Sequence, residues 1–293
     1  MIAESLPIAA VPGLHRLFLD FCAGAAELRP FYAALPPDES WQQRPAAPAH
    51  LPELVSLLAG QNPEPGAGPA LQALAAGAGV VVTGQQVGLF GGPLFTPFKA
   101  ATAVARARQA TAAGQPHAAI FWLASEDHDF AEINHVVFPA RRELRRLVYP
   151  AAPEAAVPVG AIVLDDRILP LVDQAAEILG YSAAVDALTA AYQPGRTLAQ
   201  AFRDFYARAF AAEGLLILDP SSRAFHRLGA PVLAAALERA DELHAALEAR
   251  NRELVQLGYH AQVAVTGQSS LLFLIDERAG ARVALKRTPP TAT

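Results

Sequence analysis

Gly79-Val80-Val81-Val82-Thr83, the turn Gly84-Gln85-Gln86-Val87-Gly88-Leu89-Phe90-Gly91-Gly92-Pro93, and Ala118-Ala119-Ile120-Phe121-Trp122-Leu123-Ala124 decide the fold of this chain. The first and last pieces are short, apolar and bounded by turn residues, the pattern of strands buried on both faces. Between them a helical pattern runs from about Leu94 to Ala113 and is stopped by Gly114-Gln115-Pro116. Strand, helix and strand in such close succession predict a βαβ unit, with parallel strands and a right-handed crossover.

The pattern continues outward from this unit. His135 to Phe138, Arg146 to Tyr149 and Val159 to Leu164 read as short strands, and helices are expected around Leu169 to Leu179, Ala183 to Tyr192 and Thr197 to Ala212. Gly214-Leu215-Leu216-Ile217-Leu218-Asp219 reads as another buried strand, ending in an acid. One long helix is expected from about Ser222 to Leu257, closed by Gly258. His260 to Val265, Leu271 to Ile275 and Arg282 to Leu285 then suggest a terminal meander. Upstream, His15 to Tyr32 reads as an amphipathic helix, followed by a Pro-rich stretch from Pro36 to Pro52 and a short helix. The expected class is α/β: a Rossmann-like, mainly parallel sheet with flanking helices, an N-terminal helical lead-in and a small antiparallel C-terminal meander. Residues 1–78 form the expected lead-in, packed on a core of residues 79–293. That core is expected to be incomplete, because Pro289-Pro290-Thr291-Ala292-Thr293 follows a strand directly.

The chain has 293 residues, 53% of them hydrophobic and 17% charged, which suits a packed globule and argues against disorder. No apolar run approaches the roughly 20 residues of a membrane-spanning helix. Met1 to Val11 lacks a basic n-region, so a cytoplasmic protein without a membrane anchor is expected. A net charge of −5 does not fit the basic footprint of a nucleic-acid binder. Arg141, Arg142, Arg145 and Arg146 read either as a solvated turn between strands or as an anion contact. Cys22 is the single cysteine, so neither an internal disulfide nor a Cys-based zinc site can form. It reads as a small buried hydrophobe.

Two loops carry the candidate chemistry. Thr83, Gly84, Gln85, Gln86, Gly88 and Gly91 lie at the carboxyl end of the first strand, where open α/β sheets bind ligands. Their spacing fits neither GxGxxG nor GxxxxGK[ST], so the loop reads as a substrate or nucleotide contact, or as a tight structural turn. Ser125-Glu126-Asp127-His128-Asp129 follows the second strand and continues to Glu132, Asn134 and His135. Carboxylates beside imidazole can hold an amine, act as a general base or coordinate a divalent ion. Alternatively, the acids are those of a helix's first turn, which the macrodipole favours. Asp127, His128 and Asp129 are the candidate catalytic groups, and Glu126, Asn134 and His135 the candidate contacts. No metal site is expected, since no His-x-x-x-His ligand ladder is present.

TGQQVGLFGGP, followed by Phe98-Lys99-Ala100 and then by FWLASEDHDFAEINHV from Phe121 to Val136, resembles the cysteine-adding enzymes of bacillithiol biosynthesis. Weaker blocks follow in the same order: Leu28-Arg29-Pro30-Phe31-Tyr32, Thr197 to Phe202, Gly214 to Pro220, and Gly258 to Val263. The resemblance implies a Rossmann-like core related to class I synthetase-type ligases. It also implies a reaction joining the carboxyl of cysteine to the amine of glucosaminyl malate, as the last step of bacillithiol synthesis, with ATP as the expected activating nucleotide. Members of that family are nearly twice as long and dimerise through a helical coiled coil, which this sequence lacks, as it lacks a KMSKS-like lysine loop. Two other readings fit the same sheet: a non-catalytic relic that binds a nucleotide or sugar, and a nucleotidyltransferase-like enzyme.

Overall fold

A computed structural model describes residues 6–33, 35, 42, 51–150, 157–276 and 280–287. In chain order, the elements begin with helices α1 (Arg16–Cys22), α2 (Leu51–Gln61) and α3 (Gly68–Ala75). Strand β1 (Gly79–Gln85), helix α4 (Phe95–Ala112), strand β2 (His117–Leu123), the single turn α5 (Phe130–Ile133), and strands β3 (His135–Pro139) and β4 (Leu144–Val148) follow. Then come helices α6 (Leu169–Leu179), α7 (Ala183–Ala191) and α8 (Leu198–Phe210), strand β5 (Leu215–Leu218), helices α9 (Arg223–Glu238) and α10 (Ala240–Gln256), and strands β6 (Ser269–Ile275) and β7 (Arg282–Lys286). The Pro-rich stretch expected from Pro36 to Pro52 falls largely outside the described residues, and Pro289 to Thr293 lies wholly outside them.

Contacts group Pro45–Leu233 with Leu272–Leu285 as one unit, and Met1–Arg44 with Ala234–Leu271 and Lys286–Thr293 as another. In the larger unit, β1, β2 and β5 form a parallel sheet in the order β1-β2-β5, with Gly79 opposite His117 and Ala119 opposite Leu215. The βαβ unit is therefore present as expected. Alternation of side chains across the sheet divides its core in two. Phe121, Leu123, Leu215 and Ile217 face one side, packing with Ala100, Ala103 and Ala107 of α4 and with Phe202 and Tyr206 of α8. The alanine stripe lets α4 lie close to the strands. Ala118, Ile120, Leu216 and Leu218 face the other side, packing with Leu58 of α2 and Leu74 of α3.

The two edges of this sheet are finished differently. Along β5, the buried Asn62 donates to the Ile217 carbonyl at 2.9 Å and accepts from the Ile217 N–H at 2.8 Å. Gln61 repeats the pattern on Asp219, donating to its carbonyl and accepting from its N–H, both at 2.9 Å. Two side-chain amides thus stand where another strand would bond. Along β1, no strand pairs with the outer side among the described residues.

In the smaller unit, Leu17, Leu28, Leu35, Leu254 and Tyr259 form a separate core. The Tyr259 hydroxyl donates to Asp20 at 2.8 Å, and the Arg16 guanidinium lies over the Tyr259 ring.

Five local expectations differ from the structure. His15 to Tyr32 is not one helix: α1 ends at Cys22, and Gly24, at φ 67°, turns the chain into a 3-10 turn at Ala26–Leu28. Cys22 is half-buried, not buried. The expected strand from Val159 to Leu164 is a 3-10 turn at Val159–Ala161, with a single bridge from Val163 to Thr197. Pro158 has no N–H to give to a ladder, and the N–H groups of Val159 and Gly160 are bonded to Asp127 and Ser125 carbonyls at 2.6 and 2.8 Å. The expected single helix from Ser222 to Leu257 is broken at Arg239 (φ −104°, ψ 24°), after which Asp241 and Glu242 occupy the first turn of α10 as the macrodipole favours. Gly258, at φ 81°, does close it.

The C-terminal antiparallel sheet consists of β6 and β7, closed by bonds from Asp276 N–H to the Ala281 carbonyl and from Arg287 N–H to the Gln268 carbonyl. His260 to Val265 is not a strand; the Asn251 side chain takes the Val263 carbonyl and the Gln262 N–H instead.

Candidate functional site

Parallel pairing brings the carboxyl ends of β1 and β2 side by side, with Gln85 opposite Leu123 and the Ala124 N–H bonded to the Gln85 carbonyl at 2.9 Å. The turn after one strand therefore meets the loop after the other. Gln86 Nε2 donates to Asp127 Oδ2 and to Glu132 Oε2, both at 2.8 Å, so one amide bridges two carboxylates. Behind it, Gln85 Nε2 donates to Gln86 Oε1 at 3.3 Å, and Lys99 Nζ of α4 donates to Gln85 Oε1 at 3.0 Å. Lys99, Gln85, Gln86 and Asp127 thus form a directed chain of hydrogen bonds from an ammonium to a carboxylate. Each bond polarises the next in the same direction.

The surroundings of Asp127 favour its ionised form. Burial opposes ionisation of its carboxyl, but the Gln86 amide, the backbone N–H groups of His128 and Asp129, and the His128 ring together hold it below the usual carboxylate range. Its Oδ1 accepts from the His128 N–H at 2.7 Å, and the Arg282 guanidinium lies 3.9 Å away. The same guanidinium is 3.3 Å from His128 Nδ1. With Arg282 as donor, that contact leaves the imidazole proton on Nε2.

The remaining residues of the two loops have individual partners. Asp129 caps α5, its Oδ1 accepting the Glu132 N–H at 3.1 Å. Glu126 pairs with His226 Nε2 of α9 at 2.6 Å. Asn134 and His135 lie past α5 and contact each other, Oδ1 to Nδ1, at 3.3 Å. Thr83 lines a cavity of about 330 Å³ beside α4, together with Lys99, Phe95 and Phe98. Gly84 has no room for a side chain, since a Cβ there would sit 2.7 Å from the Trp122 carbonyl oxygen.

Gly88 and Gly91 belong to a buried turn. The Gly91 N–H donates to the Tyr192 hydroxyl at 2.9 Å, which in turn contacts the Gly88 carbonyl at 3.3 Å. The Tyr206 hydroxyl donates to the Gly91 carbonyl at 2.8 Å. Phe90, Gly91 and Gly92 all have positive φ, at 52°, 89° and 77°. For Phe90 this is a strained conformation, held by burial of its ring edge-on against Tyr192. The backbone N–H groups of Gly88, Gly91 and Gly92 are therefore engaged within the fold.

Several positions that complete the site were not among the candidate catalytic or binding groups. Lys99 belongs to the Phe98-Lys99-Ala100 block, one turn into the helix after the glycine-rich turn. Glu132 stands out only as the acid three residues after Asp129. Ser125 is buried, with its hydroxyl 2.6 Å from Asp219 Oδ1, so the acidic loop is anchored to the end of β5. Gly160 permits that anchoring, because a Cβ there would lie 2.5 Å from the Ser125 Cβ. Arg282 comes from β7, about 150 positions away in the chain, and nothing in the local sequence marks it.

Arg145 and Arg146 lie on β4, and Arg141 and Arg142 in the exposed turn before it. No helix among the described residues is long and apolar enough to cross a membrane.

Residues 1–290 match the family described as bacillithiol biosynthesis BshC, N-terminal Rossmann-like domain. A Koribacter versatilis protein named "Putative cysteine ligase BshC" is 42% identical across 98% of this chain and 55% of its own length. Proteins of the same name from Solibacter usitatus and Salinibacter ruber are 38% and 33% identical, across 94% and 89% of this chain and 53% and 51% of theirs. The chain thus spans about half the length of these curated relatives. With that extent of match, this chain belongs to the bacillithiol biosynthesis BshC family.

Proposed function

We propose that the chain forms the acceptor side of a carbon–nitrogen ligase that joins the carboxyl of cysteine to the amine of glucosaminyl malate, in the last step of bacillithiol synthesis. The hydrogen-bond chain from Lys99 through Gln85 and Gln86 to Asp127 carries this reading. It joins three separate sequence blocks at the carboxyl end of a parallel sheet, where ligands of such sheets bind. The family name and the names of the relatives supply the reaction class.

The amine must be unprotonated to attack an activated carboxyl. Asp127, kept ionised, attracts the ammonium form and orients it, while its depressed pKa makes it a weak base. His128, adjacent and exposed, is better placed to accept the proton released on attack, at Nδ1 once the Arg282 guanidinium gives up its contact with that atom. Arg282 beside both residues limits how much positive charge accumulates there. Glu132 shares the Gln86 amide and adds a second carboxylate toward the same amine. Asp129 shapes the loop by capping α5. Where ATP activates the cysteine carboxyl, Lys99 is the cation at hand for a phosphate oxygen, since the amides of Gly88, Gly91 and Gly92 are spent on Gln86, on Tyr192 and on the turn itself. The reaction belongs in the cytoplasm, where thiols are kept reduced.

Deleting the gene and measuring low-molecular-weight thiols tests this function. Loss of bacillithiol with accumulation of glucosaminyl malate is the expected result, reversed by the wild-type gene. His128→Ala and Asp127→Asn should each restore roughly 1% or less of the wild-type flux, in keeping with general acid–base contributions. Unchanged bacillithiol in the deletion strain would refute the assignment.

A further inference from the structure

We infer that Arg282 is a carboxylate-responsive positioning residue: its guanidinium holds His128 Nδ1 in the free protein and leaves that atom for a carboxylate of the incoming acceptor. The inference rests on the acceptor reading above and adds to it the part of the substrate that admits the base to the reaction. It begins from an arginine whose donors are not used up. The Arg282 side chain is 22% exposed, and among the described residues its guanidinium meets only His128 Nδ1 within hydrogen-bond distance, at 3.3 Å. Asp127 Oδ1 lies farther off, at 3.9 Å, and already accepts the His128 N–H. Arg203, covered to a similar degree at 20%, gives its donors to the Gln61 carbonyl, Glu64 and Asp204. A guanidinium so far removed from water normally has a carboxylate in its fork. Arg282 has a single imidazole nitrogen.

The mounting of this side chain lets it move. Arg282 opens β7, and its guanidinium carbon lies 3.6 Å from the centroid of the Phe273 ring on β6. That ring is 48% exposed, so the guanidinium can slide along its face and keep the cation–π attraction. A neutral imidazole nitrogen is a weaker acceptor for such a cation than a carboxylate. The exchange is therefore downhill once a carboxylate comes within reach. It also decides whether the base is available. With the imidazole proton on Nε2, Nδ1 carries the lone pair that must take the proton of the amine, and a guanidinium N–H bonded there blocks it. Arg282 thus keeps His128 out of the reaction until it is drawn away.

The chemistry of the acceptor supplies the trigger. In glucosaminyl malate the amine and the malyl group sit on adjacent carbons of the sugar, so an amine held by Asp127 and Glu132 brings both malyl carboxylates with it. One of these in the fork of Arg282 would fix the sugar and free Nδ1 in the same step. Glucosamine, or a glucosaminide without carboxylates, would present its amine to a base still occupied. Preference for an acidic aglycone would then come from admission of the base as well as from affinity.

Nuclear magnetic resonance of the His128 ring nitrogens in this chain tests the exchange, at about pH 9, where imidazole is neutral and guanidinium stays charged. Malate is the probe, and dimethyl malate, with the same skeleton and no charge, is the control. Malate should move the Nδ1 resonance downfield, as for a nitrogen that loses a hydrogen-bond donor, and dimethyl malate should leave it in place. Arg282→Met should show the moved resonance before any ligand is added, should not respond further to malate, and should bind malate about tenfold or more weakly. A wild-type resonance indifferent to malate overturns the inference, and this comparison needs no variant to fold. An equal response to both compounds, or a full malate response in Arg282→Met, overturns it as well. Loss of bacillithiol on gene deletion beside an indifferent His128 would sink this inference and leave the ligase reading standing. A malate response at His128 beside unchanged bacillithiol would leave the carboxylate response standing without the ligase.

Discussion

The outer edges of β1 and β5 are made of similar apolar residues and belong to one sheet, yet they are treated in opposite ways. Every residue of β5 is buried, and its free backbone groups are taken by two consecutive side-chain amides at the end of α2. β1 has half-exposed valines and no partner on its outer side among the described residues. Burial alone therefore does not define the end of a sheet. An end requires that hydrogen bonds be satisfied without another strand, and side chains from a neighbouring helix can do this.

Asn62→Leu should produce the largest effect. It strands the buried N–H and C=O of Ile217 while keeping the side-chain volume, which predicts a loss of about 4 kcal/mol. The urea midpoint would report it, and a loss under about 1 kcal/mol would mean that water replaces the amide freely. Gln61→Ala should cost less, about 1.5 kcal/mol, because Asp219 is nearer to solvent. A larger loss from Gln61→Ala than from Asn62→Leu would reverse the proposed order of the two caps.

Asp127→Asn should act at the carboxyl end of the open strand and depend on pH. The folded protein holds this carboxyl below its ordinary value of 3.8, so its ionisation stabilises the fold above that pH, and the benefit fades as pH falls through the depressed value. The stability gap between wild type and Asp127→Asn should thus be present at pH 6 and close on acidification below pH 3.8. A gap that widens on acidification would show that the charge is unfavourable in the fold. Smallest of all, Val82→Lys in the chain alone should change stability by no more than about 0.5 kcal/mol, as at an ordinary surface position. A cost of several kcal/mol would mean that the β1 edge is already covered.

How far the sequence could be read followed from how local each interaction is. The βαβ unit was legible because runs such as Val80 to Val82 and Ala119 to Leu123 carry their own periodicity. That Gln86 and Asp127 would meet followed from parallel pairing alone, 41 positions apart in the chain. Val159 to Leu164 was misread because its apolar content suits a strand, while the bonds that fix it go to the carbonyls of Ser125 and Asp127. The Gln61 and Asn62 caps and Arg282 were not visible, since each acts on backbone or side chains more than 140 positions away. The glycine-rich turn was left open between ligand contact and structural turn; its polar groups face tyrosines that only the fold brings near.

Those tyrosines also bear on how the chain folds. Tyr192 and Tyr206 reach back 101 and 115 positions to hold Gly91 from both sides. The strained turn around Phe90 has little local reason to persist before they arrive, so it should form only after a large loop has closed, which slows folding relative to local helix formation. On the ribosome, β1 and α4 would emerge and wait through the synthesis of roughly a hundred more residues before their connection became rigid. The candidate site would then be among the last parts of this unit to take shape, and a nascent chain stalled before α8 would have the motifs of both loops in sequence but not in place.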